Sequence, residues 1–282
     1  MLPMNHPHSF YRSLLLTAAL ACGATLGSAQ VAQEPSNAAE LAQKKSTSTY
    51  NLEADAKRKA GMTAAEAAWE KTLEENLGSF YLPAYKKDKL AGKRTSFDFV
   101  SDDPKLPRIL IIGDSISRGY TIPVQDALKG KANVHRAPAN CGPALKALPK
   151  LPTWLGEGKW DIILFNFGIH DRANPPAAYA SSLEGIIAVL QKTGAKLVWA
   201  TSTPPADNNN PEKYSLDQCE RVNRIATEIM QKNNIPVIDL HATVANRLGE
   251  LQRPNNVHFF DPGYEVLGQA VASHLQTYLA KP

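Results

Sequence analysis

Beyond residue 107 the chain is punctuated by short stretches of almost unbroken apolar residues. Ile109 to Ile112 reads I-L-I-I, Asp161 to Phe167 reads D-I-I-L-F-N-F, and Lys196 to Thr201 reads K-L-V-W-A-T. A strand covered on both faces has no polar face to show, so these runs predict buried strands of a parallel sheet. Ala132 to Arg136 and Pro236 to Leu240 complete a set of five. Between them the spacing becomes helical. A short helix is expected from Pro123 to Lys129, closed by Gly130, and short helical turns between Leu145 and Leu155, where Pro149 and Pro152 break any longer helix. Longer helices are expected over Pro176 to Lys192, from Ser215 onward, over Thr243 to Leu251, and from Asp261 to about Leu279. The helix at Ser215 opens with an S-L-D-Q capping box, and Tyr214 faces Cys219 as a hydrophobic staple. Its stripe of Leu216, Cys219, Val222, Ile225, Ala226 and Ile229 reads as core. Strands alternating with helices imply an α/β fold, a parallel sheet between two helical layers.

Before residue 107 the pattern differs. Residues 1–29 have the form of an export signal: Arg12, then the apolar stretch Leu14 to Ala21, then Gly27-Ser28-Ala29 as a small-residue cleavage site. The stretch is too short to span a bilayer, and no other stretch is long and apolar enough to be a membrane helix. Cys22 after Leu20-Ala21 faintly resembles a lipoprotein site, but Ala19 stands where a large aliphatic residue is usual. Residues 30–61 are rich in Ala, Gln, Ser, Thr and Lys without a sustained apolar period, the composition of a flexible tether. Residues 62–106 form a helical N-terminal arm in this reading, starting at the T-A-A-E capping box of Thr63 and ending in an aromatic and lysine-rich segment. Residues 107–282 are the main domain.

Composition then narrows the chemistry. With 43% hydrophobic and 21% charged residues and a net charge of +4, the 282-residue chain is ordinary globular material. No basic cluster is interleaved with aromatics, which argues against nucleic acid as a partner. The seven histidines lack ligand spacing with carboxylates or thiols, so no metal site is expected. Cys141 and Cys219 remain after signal removal, and read either as a disulfide or as two small buried hydrophobes.

The candidate chemistry sits at strand ends. Ile109 to Ile112 stops abruptly at Gly113-Asp114-Ser115, which puts a hydroxyl in the crevice outside the carboxyl edge of the sheet. Taken alone, Ser115 reads first as a helix cap. Three further stretches fall on the same edge: Ala139-Asn140-Cys141-Gly142, Gly168-Ile169-His170-Asp171 and Asn255-Asn256-Val257-His258. Each supplies something a nucleophilic serine needs. His258 offers a base, while the backbone N–H groups of Ser115 and Gly142 and a ring N–H of His170 are candidate oxyanion donors. Singly these residues are a turn former and two loop histidines; their co-occurrence in sheet order is informative.

With these blocks the sequence resembles the SGNH (GDSL-like) hydrolase superfamily. Gly113-Asp114-Ser115 matches its first block, Gly142 its second, Gly168-Ile169-His170-Asp171 its third, and His258 the histidine of its last. The resemblance covers roughly two-thirds of the chain. It implies a flavodoxin-like three-layer α/β/α sandwich with a five-stranded parallel sheet, a Ser115–His258 pair, and ester hydrolysis without a cofactor. Exported members often remove acetyl groups from polysaccharides. Two departures matter: the family's block-three Asn is His170 here, and its Asp three residues before the histidine is Asn255. A dyad is therefore expected, with Asn255 or a backbone carbonyl orienting His258. Asp114 and Asp171 are expected in support, Asp114 by fixing the turn. The expectation is a secreted or periplasmic esterase with an acyl-Ser115 intermediate, acting on a small-molecule or polysaccharide ester. The alternatives are a catalytically impaired glycan-binding protein, or an acyltransferase or lipid esterase on the same residues.

Overall fold

The computed structural model describes residues 51–206 and 215–279. The expected export signal, Tyr214 and most of the tether lie outside them. Five strands form one all-parallel sheet: β1 (Arg108–Ile112), β2 (Asn133–Arg136), β3 (Ile162–Phe165), β4 (Lys196–Ala200) and β5 (Val237–Ile238). Their spatial order is β2-β1-β3-β4-β5, the flavodoxin-like order, as the resemblance implied.

Alternate residues of each strand feed opposite layers. Ile109 and Ile111 of β1, with Ile162, Leu164 and Val198, pack under two helices, Ser115–Ala127 and Asp261–Leu279. Leu110 and Ile112, with Ile163, Phe165 and Trp199, pack under Pro176–Gln191 and Leu216–Lys232 on the other face. Each of these β1 side chains is at most 1% exposed, and burying an aliphatic side chain that fully stabilises by about 1.5–3 kcal/mol. This two-sided burial is why the strands carry no polar alternation.

In chain order the helices are α1 (Leu52–Ala60), α2 (Ala64–Asn76), α3 (Gly78–Leu90), α4 (Ser115–Ala127), α5 (Leu151–Leu155), α6 (Pro176–Gln191), α7 (Leu216–Lys232), α8 (Leu240–Ala245), α9 (Leu248–Leu251) and α10 (Asp261–Leu279). Three expectations need correction. The short helix at Pro123 is the end of α4, which begins eight residues earlier; Gly119 and Pro123 look like breakers but serve the crossing with α10. A Cβ on Gly119 would lie 2.0 Å from the Tyr264 ring, and one on Gly268 would lie 2.3 Å from Pro123, so the two glycines let the helices approach. The last strand stops at Ile238 because the Asp239 side chain accepts the Ala242 N–H at 2.9 Å and starts α8. Thr243 to Leu251 is accordingly two short helices rather than one.

The arm begins earlier than composition suggested. Leu52–Ala60 is helical, capped by Asn51, whose side chain accepts the Ala54 N–H at 2.9 Å. Ion pairs hold α1 to α2: Arg58 reaches both Asp55 and buried Glu70, and Lys59 reaches Glu74 at 2.7 Å. Tyr85 from α3 donates to Glu70 at 2.6 Å, and Leu73, Leu77, Tyr85 and Phe97 form a small core of their own. Composition misses such a helix because polar partners on the next helix, not an apolar stripe, hold it. Among the described residues no helix is long and apolar enough to cross a membrane.

Candidate active site

Ser115 is the first residue of α4, directly after β1. Asp114 caps the helix: its side chain accepts the Ile116 N–H at 2.8 Å, the turn-fixing role expected of it. Gly113 has to be glycine, because an added Cβ would lie 2.8 Å from Ser117 Oγ. The loop after β2 is tied to this elbow, the Cys141 N–H donating to Gly113 O at 3.1 Å, which brings Gly142 alongside. Gly142 adopts φ +39°, a conformation that favours glycine. Cys141 and Cys219 are both buried and unbonded, and burial pushes each thiol up to about 12, so neither is a nucleophile at neutral pH.

The loop after β3 joins the same cluster. Asp171 is fully buried and accepts the Ala144 N–H at 3.0 Å and the Asn174 side-chain N–H at 3.0 Å, stapling this loop to the one after β2. Burial raises its carboxyl above the usual carboxylate range, so its role is to hold backbone. Its neighbour His170 is exposed and lies near enough to His258 to help lower the pKa of that ring. Gly168 is required because Ser202 Oγ occupies the space a Cβ would take, at 2.1 Å.

His258 arrives from the far end of the chain. Gln252 and Phe259 pair as an antiparallel bridge, the Arg253 N–H donates to His258 O at 2.9 Å, and the turn between them presents His258. Buried Gln252 anchors this turn by donating to Pro204 O at 2.9 Å and Val257 O at 3.1 Å. His258 Nε2 lies 2.8 Å from Ser115 Oγ, across 143 positions of chain. Its Nδ1 lies 2.7 Å from Asn256 Oδ1.

This corrects the expected role of Asn255, which makes no hydrogen bond to the ring; it sits at φ +53° and turns the chain so that the next residue does. Asn256 Oδ1 also accepts the backbone N–H groups of Val257 at 2.9 Å and His258 at 3.1 Å. Those donors fix the amide with its oxygen facing the ring, so Nδ1 carries the proton and Nε2 accepts from the Ser115 hydroxyl. The sequence held a signal for this: an Asn side chain bonding backbone two residues on is a common turn device. Among the described residues no aspartate bonds the ring, neither Asp171 nor Asp261. Burial lowers the His258 pKa below its usual value; Asp114 opposes this, while Arg118, Arg253 and His170 add to it.

Two other features of the neighbourhood escaped the sequence. Arg136, at the end of β2, is 2% exposed and donates to the backbone of the serine elbow. A cavity of about 300 Å³ lies on its other side, bounded by Trp69, Phe99, Trp154 and Trp160, and neither Ser115 nor His258 lines it.

Residues 111–266, more than half of the chain, match the model of the GDSL-like lipase/acylhydrolase family. The chain belongs to that family. It is thus an SGNH-type ester hydrolase, and the matched span contains Ser115, Gly142, His170, Asp171, Asn256 and His258. No curated protein matches the chain. Among solved structures, this hydrolase is similar to the lipase/acylhydrolase from Enterococcus faecalis, with 22% identity and a TM-score of 0.56 over 63% of this chain and 99% of that one. The acetyl xylan esterase AlAXEase superposes with 17% identity and a TM-score of 0.52, over 60% and 99%. A carbohydrate acetylesterase from Sinorhizobium meliloti gives 12% identity and 0.53, over 61% and 99%. At such identities these likenesses show the shared fold. The arm, α1 to α3, precedes the matched residues.

Proposed function

We propose that this GDSL-like hydrolase is an exported esterase that removes short acyl groups, acetyl above all, from carbohydrate, through an acyl-Ser115 intermediate. The observation that carries the mechanism is the 2.8 Å contact between Ser115 Oγ and His258 Nε2, with Asn256 holding the other ring nitrogen. Ser115 Oγ attacks the ester carbonyl as His258 Nε2 takes its proton. The carbonyl oxygen becomes an oxyanion facing the Ser115 and Gly142 N–H groups and the His170 ring. The alcohol leaves with the proton from His258, and the acyl group stays on Ser115. Water then gives its proton to His258 and attacks the acyl carbon; collapse releases the acid and returns the proton to Ser115. No step in this cycle calls for a cofactor.

Asn256 brings orientation without charge. In serine proteases, replacing the equivalent aspartate by asparagine costs roughly 10⁴ in turnover, mainly because the wrong tautomer is held. Here Oδ1 holds the productive tautomer, so only the stabilisation of the imidazolium is lost. Two carbohydrate acetylesterases among the structural relatives support the choice of acceptor, and the export signal read in residues 1–29 supports a polysaccharide met outside the cytoplasm. The test is acetate release from a panel of acetylated glycans, together with hydrolysis of an aryl acetate. Both are expected from the wild type and from neither Ser115→Ala nor His258→Ala. Glycan binding that survives Ser115→Ala, with no ester turnover at any pH, would favour a binding protein instead.

A further inference from the structure

Arg136 is a buried cation, 2% exposed, with no ion-pair partner among the described residues, although the charge of Asp114 favours its protonated form. Removing a charge from water without such a partner is costly, so its remaining contacts must be strong. They converge on the serine elbow, with one longer contact from Nη2 to Ala139 O at 3.5 Å, while Nε has no partner among the described residues. Nη2 donates to Asp114 O at 2.9 Å and to Gly113 O at 2.9 Å, and Nη1 donates to Ser117 Oγ at 2.6 Å. Ser117 Oγ in turn donates to Asp114 O at 2.7 Å, and the Arg118 N–H donates to the same oxygen at 3.0 Å. Asp114 O thus accepts three donors, one of them charged. The face of Phe97, from the end of the arm, lies 5.3 Å from the guanidinium carbon, where an aromatic face offers the cation partial compensation.

The carbonyl so held belongs to the same planar trans peptide as the Ser115 N–H, and the two bonds point in opposite directions. Whatever fixes Asp114 C=O therefore fixes the direction of the Ser115 N–H. A positive charge at the carbonyl end also polarises the peptide, which strengthens its N–H as a donor in a water-poor site.

We propose that Arg136 is a positioning residue for the oxyanion site: through Asp114 O it aims and polarises the Ser115 N–H. This rests on the serine-esterase mechanism proposed above, and not on the identity of the acyl acceptor. Arg136 works from behind the elbow, on the carbonyl side of the peptide, and is separate from the donors that would touch the oxyanion. It also gives the arm a mechanical link to catalysis through Phe97.

The experiment compares wild type with Arg136→Met, Arg136→Gln and Arg136→Lys in the full-length protein. It reads the second-order rate of Ser115 labelling by a fluorophosphonate probe, whose phosphoryl oxygen needs the oxyanion donors, and kcat and KM for an aryl acetate. Removing one oxyanion donor in a serine hydrolase costs roughly 10²–10³ in turnover, and Arg136→Met is expected to approach the lower figure, with KM within about twofold of wild type. Arg136→Lys, which keeps the charge, is expected to recover at least about tenfold of that loss, and Arg136→Gln, which keeps a donor but no charge, to recover less. A merely structural arginine would lower the soluble or active fraction without changing the per-site labelling rate, so active sites are counted by probe stoichiometry. Labelling at the wild-type rate in the Met and Gln variants would overturn the proposal, as would a loss confined to KM. If Arg136→Met does not fold, the Lys and Gln pair decides by the same criterion. Labelling requires no acetyl glycan: failure to release acetate from glycans, with the probe still reacting, would sink the acceptor and leave this test in place. A wild-type enzyme that the probe does not label overturns both.

Discussion

The two halves of the proposed catalytic pair are built in different ways. The serine elbow is part of the core: Gly113, Asp114 and Ser115 are buried, sit directly on β1, and are braced by Arg136, Ser117 and the backbone of Cys141. The histidine stands on a turn between Gln252 and Phe259, half-buried, and is held by one side-chain anchor and one amide oxygen. A nucleophile needs a fixed position and a base needs a fixed tautomer, so the first is served by packing and the second by a hydrogen bond. Substitutions in the two regions should fail in correspondingly different ways.

The largest effects remove the pair itself. Ser115→Ala and His258→Ala are each expected to lower aryl acetate kcat by about 10³-fold or more, with unchanged circular dichroism, since residues of such a unit fail together. Next comes the tautomer. Asn256→Ala should lower kcat by about 10²-fold or more, because no other described residue bonds Nδ1 and holds its proton away from Ser115. Asn255→Gly, which keeps the left-handed backbone, should stay within about threefold of wild type. Equal losses at both positions would erase the distinction between them.

That pair of neighbours also marks where sequence stopped being sufficient. The meeting of Ser115 and His258, and the supporting place of Asp171, were legible because each follows a strand end or precedes a long helix, and strand ends are set by short-range apolar runs. Asn256 was not, because choosing it over Asn255 depends on the left-handed turn at Asn255, a matter of one residue in a loop. Arg136 was missed for the opposite reason. A charged residue in a strand reads as solvent-exposed, and only the fold shows that its charge is spent on backbone carbonyls. The strand order and both layers were legible; α1, held by Arg58, Lys59 and their carboxylate partners, was not.

Smaller effects sharpen the electrostatic side. Burial and the nearby cations hold His258 below the usual imidazole value of about 6.5, so its neutral, basic form persists into mildly acidic solution and activity falls only as pH drops through the lowered value. Asn256→Asp places a carboxylate against Nδ1 and favours the imidazolium. The acidic limb of kcat/KM against pH should move upward, with a gain of several-fold in kcat on its plateau. A limb that stays put or moves down would mean that position 256 does not face the ring. Arg253→Gln removes a neighbouring cation and should move the limb upward by less.

The smallest kinetic effect is expected far from the elbow. Glu70→Gln leaves Arg58 with Asp55 as its remaining carboxylate partner and should cost about 1–3 kcal/mol of stability in a thermal or urea melt, while kcat stays within about twofold of wild type. A large kinetic loss there would tie the arm to catalysis far more tightly than its ring contacts, Phe97 on Arg136 and Tyr81 on Arg118, imply.

The most direct measurement is nitrogen NMR of His258 in protein carrying ¹⁵N-labelled histidine, assigned by its disappearance in His258→Ala. At neutral pH the neutral ring should carry its proton on Nδ1, with an unprotonated Nε2 whose resonance shifts in Ser115→Ala. A proton on Nε2, or an Nε2 indifferent to the loss of the Ser115 hydroxyl, would contradict the proposed pairing of these two residues.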